Sequence, residues 1–180
     1  MKKRWWLISL IIIFLTMGCM GMASSPSSKV EELLRRYQNH SEGVIIELGD
    51  FLDSLNLDPE TRDDYHSIYL RQYQDMEFEI KNETIDGDRA VVTVAIKVYD
   101  YYRAEININN FIMNNPNEFM DDDGNFSPYL AFRHRIDELL RVNDRVEYNV
   151  DFTITLINDE WVIDTLTEEQ LEKIHGTFAY

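Results

Sequence analysis

The feature that most constrains the fold is an unbroken alternation of apolar and polar residues over positions 146–156. Successive side chains of a β-strand point to opposite faces of a sheet, so this pattern is typical of a strand with one buried and one wet face. Asn158-Asp159 then supplies a tight turn, and Trp161-Val162-Ile163 a short returning strand. The end of the chain therefore predicts an antiparallel hairpin. The apolar positions of its first strand are Val146, Tyr148, Val150, Phe152, Ile154 and Leu156.

An earlier segment predicts a second antiparallel pair. Met76, Phe78 and Ile80 alternate with charged residues, and a run rich in β-branched residues follows at 91–99. Between them lies Asp86-Gly87, which we expect to supply the positive φ angles of a tight hairpin turn. Together the two pairs predict an antiparallel sheet of about four strands.

The segment before the first strand has the period of helices. Ser28 and Glu31 match a capping box, and apolar residues then continue in helical phase, which predicts one long amphipathic helix bent at Gly43. Asp58-Pro59 predicts the start of a second helix. The apolar positions are Val30, Leu33, Leu34, Tyr37, Val44, Ile45, Leu48, Phe51, Leu52 and Leu55 in the first, and Tyr65, Ile68, Tyr69 and Tyr73 in the second.

Further helices connect and follow the two hairpins. Residues 101–126 are rich in asparagine and predict a partly helical crossover, after which Ser127-Pro128 predicts another helix start. Thr167 and Gln170 form a second capping box, and Gly176 is placed to end that last helix. The apolar side of the helix after Pro128 is expected to be Tyr129, Phe132, Ile136, Leu139 and Leu140.

This order of elements resembles the nuclear transport factor-like, or cystatin-like, α+β fold over roughly residues 29–175. The Asp86-Gly87-Asp88-Arg89-Ala90-Val91 hairpin and the Asn158-Asp159-Glu160-Trp161 turn resemble those of small exported lipoproteins built on this fold. The resemblance implies a long N-terminal helix and further helices packed on a curved, cone-like antiparallel sheet. Because that fold carries both enzymes and binding domains, the resemblance does not by itself imply an activity.

The first 19 residues have the layout of an export signal. Three cations at 2–4 precede an apolar run of 13 residues, from Trp5 to Met17, which is shorter than the roughly 20 that a membrane-spanning helix needs. The closing Gly18-Cys19 resembles a bacterial lipoprotein signal, which implies cleavage before Cys19 and its modification with a diacylglycerol lipid. Two such acyl chains anchor a protein stably. We therefore expect a signal at 1–19, a flexible tether at 20–28 and a single domain at 29–180.

Two other fates of this segment remain open. Gly21-Met22-Ala23 offers the small-x-small pattern of ordinary secretory cleavage, which would release the protein, and an uncleaved helix would be a short anchor. Cys19 is the only cysteine, so no disulfide can form within the chain, and lipidation gives this lone thiol a role.

The charge of the chain restricts its partners. The formal net charge is −16, and it becomes −19 when the three cations Lys2, Lys3 and Arg4 are left out. Such a surface repels nucleic-acid backbones and anionic head groups, so we expect no nucleic-acid partner. We interpret the charge first as a means of solubility. The alternative is attraction of cations or of a basic partner.

The sequence contains no catalytic or metal-binding signature, so we expect no cofactor and no metal. His40, His66, His134 and His175 lack metal-ligand spacing and are predicted to be surface residues. Residues 121–125 depart from a calcium loop, because Phe126 stands where that loop requires glycine.

Tyrosines are the remaining candidates for a site. Tyr65 and Tyr69 share a helix face and Tyr148 lies on a strand, so these three could line the mouth of a cone-shaped pocket, although an aromatic stripe is more often core. We therefore expect a lipid-anchored domain on the extracytoplasmic face of the cell membrane that binds a protein, peptide or small-molecule ligand without catalysis. The alternative is an isomerase-like or dehydratase-like acid/base enzyme of the same fold.

Overall fold

The computed structural model describes residues 24–180. The predicted signal, Cys19 and the first part of the predicted tether lie outside the described residues. Within them, six α-helices pack with a four-stranded antiparallel sheet, which confirms the predicted α+β class. The elements in chain order are α1 Pro26–Gln38, α2 Glu42–Ser54, α3 Pro59–Gln74, β1 Glu77–Asp86, β2 Arg89–Tyr99, α4 Tyr101–Asn114, a 3₁₀ turn Pro116–Phe119, α5 Pro128–Arg141, β3 Arg145–Ile157, β4 Glu160–Ile163 and α6 Glu168–His175.

The sheet has the strand order β1-β2-β3-β4, so both predicted hairpins form and the second pairs with the first through β2 and β3. In the β3–β4 turn both Asn158 and Asp159 have positive φ, at 51° and 63°. The β1–β2 turn differs from the prediction, because its central residues are Gly87 and Asp88 and only Gly87 has positive φ, at 62°. A bulge interrupts β1 between Ile80 and Asn82.

The alternation in β3 has the predicted consequence. Tyr148, Val150, Phe152 and Ile154 are buried, while the residues between them are exposed or half-buried. Their neighbours on β2 face the same way, and apolar residues of α1, α2, α3 and α6 cover this inner face. Burying each large side chain contributes about 1.5–3 kcal/mol, so this layer is a large source of hydrophobic stabilisation. The β2 residues in it are Ala90, Val92, Val94, Ile96 and Val98.

The long first helix is a wrong prediction, because the structure has two helices with a break at residues 39–41. The chain leaves α1 at Asn39, and His40 adopts a left-handed conformation with φ of 50°. Nε2 of His40 lies 2.9 Å from the carbonyl oxygen of Leu70 in α3, and this tertiary hydrogen bond stabilises the break between α1 and α2. Gly43, where we expected a bend, lies inside α2.

Helix starts mostly follow the predicted caps. Asp58, Ser127 and Thr167 each accept a bond from a backbone amide of the helix they begin, and Thr167 does so within the predicted capping box. The first helix is the exception, since it begins at Pro26 with Ser25 as its cap and not at Ser28.

The apolar side predicted for the helix after Pro128 is correct only in part. Ile136 and Leu139 of α5 are buried, but Tyr129 is 62% exposed and Leu140 39% exposed. The buried part of α5 packs with α4 in a second, smaller cluster that includes Ile68 of α3.

The last helix, α6, covers the edge of β3 that β4 leaves unpaired. β3 pairs with β4 only over residues 154–157. Beyond that, Gln170 and Lys173 of α6 donate to the Asp151 and Asn149 carbonyl oxygens at 2.6 Å and 3.4 Å. Covering a strand edge in this way prevents unwanted pairing. In residues 24–180 no helix is both long and apolar enough to cross a membrane.

Candidate functional site

A cavity of about 670 Å³ opens between the helical layer and the β4 edge of the sheet. Its size lies within the range of about 300–1,000 Å³ that is usual for small-ligand sites. Helices α1 and α2 form one side, and β4 with the chain that follows it forms the other. Tyr73 of α3 and His175 of α6 also line it.

The walls of the cavity are mostly apolar. Val44, Leu48 and Phe51 recur along α2 at helical spacing, so that one face of this helix points into the cavity. On the opposite side, Trp161 and Ile163 of β4 pair with Leu156 and Ile154 of β3 and therefore lie on the inner face of the sheet. The remaining aliphatic residues of the wall are Leu33, Val162, Leu166 and Leu171.

The rim of the cavity carries charge. Lys29 of α1 donates to Glu160 of β4 at 2.7 Å, and this hydrogen bond raises the pKa of Lys29 and lowers that of Glu160. The two residues join the helix layer to the edge strand on one side of the opening. The lining includes two cations, Lys29 and Arg36, against four carboxylates, so its net charge is −2. The carboxylates are Glu32, Glu47, Glu160 and Asp164.

A tyrosine and a histidine meet inside the cavity. The Tyr73 hydroxyl oxygen lies 2.9 Å from Nε2 of His175. The imidazole is packed against Phe51, Tyr69 and Tyr73, whose ring centroids lie 5.6, 5.0 and 5.8 Å from its own. Burial lowers the pKa of His175 to about 4 and raises that of Tyr73. Both groups are therefore uncharged at neutral pH.

The Tyr73–His175 pair is poorly suited to acid/base catalysis at neutral pH. A general base works best when its pKa is near the working pH, and a histidine with a pKa of about 4 holds a proton poorly at pH 7. In the described part of the chain, the tyrosine hydroxyl that donates to a rim carboxylate is that of Tyr37, 3.5 Å from Oε2 of Glu47, and Glu47 is exposed to solvent. Among residues 24–180 no three histidine, cysteine or acidic side chains are grouped so that they could hold a metal ion.

The three tyrosines proposed from the sequence are not brought together at this cavity. Tyr69 lies behind its wall, with its ring against Phe51 and His175. Tyr65 is half-buried beside Phe132 of α5. Tyr148 is buried on β3, and its hydroxyl donates to the Phe178 carbonyl oxygen at 3.2 Å. None of the three is among the cavity-lining residues that the described chain supplies.

Sequence reasoning missed two features of the site, the position of His175 and the presence of a cavity along α2. His175 was predicted to be a surface residue, but aromatic rings pack around it, because α6 folds back over α2 and α3. Of the other three histidines, His134 stacks on Phe111 and His66 is half-buried. The cavity wall on α2 did carry a signal, the helical spacing of its apolar residues. That signal could not distinguish a cavity wall from closed core.

No known protein family matches the chain, and no curated protein matches it. Among solved structures there is a similarity to YcdA, a candidate lipoprotein of Bacillus subtilis, with 14% sequence identity and a TM-score of 0.43. The match covers 73% of this chain and 44% of the Bacillus subtilis chain, so it spans less than half of that protein. None of these findings tests the resemblance to the nuclear transport factor-like fold, which stays a hypothesis.

Proposed function

We propose that this chain is an extracytoplasmic lipoprotein whose domain binds an apolar or amphipathic ligand in the cavity without chemically changing it. The observation that carries the proposal is the cavity itself, with apolar walls, a charged rim and a volume of about 670 Å³. Sites of this kind gain affinity from the apolar surface that they remove from water and orientation from a few polar groups.

Anchoring rests on the N-terminal sequence. The cationic, apolar and Gly18-Cys19 segments resemble a lipoprotein signal, and two acyl chains on Cys19 would hold the protein on the outer face of the cell membrane. The described domain begins at its helix cap Ser25, six residues after Cys19. Six extended residues span at most about 20 Å, so the domain would stay close to the bilayer.

Anchoring is tested with a Cys19→Ser variant. We expect the parent to incorporate labelled palmitate and to fractionate with membranes, and the variant to do neither. Identical labelling and fractionation of the two proteins would refute the anchor. Release of both into the medium would instead support cleavage after Ala23.

Ligand binding can be followed without an added label. The three tryptophans are Trp5, Trp6 and Trp161, so a chain processed at Cys19 retains only Trp161, which lines the cavity. We expect an uncharged apolar dye to change the Trp161 fluorescence in a saturable way. A Val44→Phe substitution, which places a larger side chain in the apolar wall of the cavity, should weaken this binding at least about tenfold.

The control variant is Leu130→Phe, which adds a ring of the same kind on α5, where Leu130 is 40% exposed and outside the cavity lining. It should bind the dye as the parent does. Equal binding by the Val44→Phe variant and this control would show that the dye does not occupy the cavity.

A second candidate function is the acid/base enzyme, and the observation that favours it is the Tyr73–His175 hydrogen bond inside the cavity. The low pKa of His175 argues against it. Mass spectrometry of the molecule that co-purifies with the protein decides between the two functions. Binding predicts that this molecule is recovered unchanged after long incubation. Its conversion by the parent but not by a Tyr73→Phe variant would establish the enzyme.

A further inference from the structure

The edge strand β4 forms part of the cavity wall with its main chain. All seven consecutive residues from Glu160 to Leu166 line the cavity. Side chains within β4 alternate between the two faces of the sheet, and Val162 points away from the inner face that Trp161 and Ile163 share. Because residues from both faces of the sheet border the cavity, we infer that the cavity opens along the unpaired edge of β4.

The hydrogen-bond pattern of the β3–β4 hairpin identifies which main-chain groups of β4 point to its unpaired edge. In a hairpin with a two-residue turn the flanking residues, here Ile157 and Glu160, exchange both backbone hydrogen bonds, and every second pair does the same. The Asp164 amide donates to the Thr153 carbonyl oxygen at 3.0 Å, in agreement with this phase. The amides and carbonyls of Trp161 and Ile163 therefore point away from β3.

No strand lies beyond β4 in the described part of the chain. Two amides and two carbonyl groups are thus presented along one extended segment, next to an apolar wall. This is the arrangement with which proteins bind a peptide by adding it to a sheet edge.

We propose that the ligand is an extended peptide that pairs with β4 as a fifth strand and carries basic residues alternating with apolar ones. This inference rests on the proposed function, since it names the ligand of the same cavity. Main-chain groups of the peptide pair with Trp161 and Ile163. Its apolar side chains enter the space bounded by Leu33, Leu48 and Phe51.

Charge complementarity selects the basic residues. The cavity lining has four carboxylates and two cations, and Lys29 is already paired with Glu160. The strongly acidic domain also attracts a cationic partner over a longer range. The same charge opposes pairing of β4 with a second copy of this chain. An alkyl chain would use the apolar wall but would leave the main-chain groups of β4 without partners.

The test uses the full processed chain in nanodiscs of zwitterionic lipid, with Trp161 fluorescence as the signal. The probe is an acetylated and amidated heptapeptide with lysine at odd positions and valine at even positions. Its matched control is the same peptide with N-methyl groups on alternate residues, on the edge that would face β4. N-methylation removes the donors and leaves the charges and side chains in place.

We expect the probe to bind and the N-methylated control to bind at least about tenfold more weakly, because one or two main-chain hydrogen bonds are lost. Equal binding of the two peptides would overturn strand addition. A fluorescence change that follows the protein concentration and not the peptide concentration would indicate that β4 pairs with β4 of a second copy, and this result would overturn the proposal as well.

A pair of protein variants tests the same contact from the other side. Ile163→Pro and Ile163→Ala both remove the isoleucine side chain, but only proline removes the amide that points into the cavity. We expect the proline variant to bind the probe at least about tenfold more weakly than the alanine variant. Equal binding by the two variants would contradict the proposal, and the N-methylated peptide remains decisive if the proline variant does not fold.

The proposal and the broader function can fail separately. Saturable binding of the uncharged dye together with no binding of the peptide would overturn the peptide proposal and leave the ligand-binding domain intact. Absence of binding by both probes, in a folded protein, would count against the proposed function itself.

Discussion

Replacing Gly176 with alanine should destabilise the domain more than its position at the end of the last helix suggests. Gly176 has φ of 73°, a left-handed conformation that costs an alanine about 1–2 kcal/mol. A Cβ atom there would also lie closer than 3.0 Å to the Tyr99 carbonyl oxygen and to Nε2 of Gln72. The substitution therefore forces α6 away from β2 and α3.

The contact that would be disturbed is a buried amide pair. Gln72 is fully buried, it accepts from the Tyr99 amide at 2.9 Å, and it donates to the Tyr99 carbonyl oxygen at 3.2 Å. Leaving buried polar groups without partners costs about 1–3 kcal/mol. With the backbone cost, we expect Gly176→Ala to lower the free energy of unfolding by about 2–5 kcal/mol in total. For a domain of this size, in which 1 kcal/mol corresponds to about 2–4 °C, the melting temperature should fall by about 4–20 °C.

The matched control is Gly87→Ala in the β1–β2 turn. Gly87 also has positive φ, but an added Cβ would have no neighbour within 4 Å, so only the same backbone cost of about 1–2 kcal/mol remains. Urea and thermal denaturation followed by circular dichroism measure both variants. If the two substitutions cost the same within about 0.5 kcal/mol, the steric part of this reasoning is wrong.

Two further predictions concern pH and turn geometry. The pKa of His175 is about 4 in the folded chain against 6.5 when unfolded, so unfolding takes up a proton between these values and stability falls as the pH is lowered through them. Between pH 7 and pH 5 this amounts to about 2 kcal/mol, which urea denaturation should show in the parent and not in a His175→Gln variant; equal pH dependence in both would contradict the buried neutral imidazole. Asp159→Gly should stabilise the chain by about 0.5 kcal/mol, because glycine adopts the positive φ of this turn without strain. Asp88→Gly, at a turn residue without positive φ, should destabilise it by about 0.5–1 kcal/mol, and calorimetry that found the same sign for both would refute the turn argument.

Signals within a few residues of each other predicted most of the secondary structure. The caps at Asp58, Ser127 and Thr167 and the alternation along β3 each depend on one turn of helix or on the pleat of one strand. Such interactions form in the same way wherever the segment lies in the molecule. The α+β class and the pairing of strands in two hairpins followed from them.

The break between α1 and α2 was beyond local reasoning. The apolar residues on both sides keep one helical phase, which predicted a continuous helix. The left-handed conformation of His40 is held by the Leu70 carbonyl oxygen, 30 residues further along the chain. A contact over that separation exists only once α3 has packed beside α1.

The candidate site shows the same division. The residue types that line the cavity can be read from the amphipathic pattern of α2 and the alternation of β4, and the acidic character of its rim follows from composition. Whether those apolar faces close into core or leave a space depends on how the five elements α1, α2, α3, β4 and α6 pack. The last helix, α6, folds back over α3 and over the part of β3 that β4 does not pair with. This packing brings His175 to the cavity and places Tyr69 behind the cavity wall. Tyr148 is buried under the chain that follows α6. Periodicity decides which face of an element avoids water, but only the packed chain decides what that face meets.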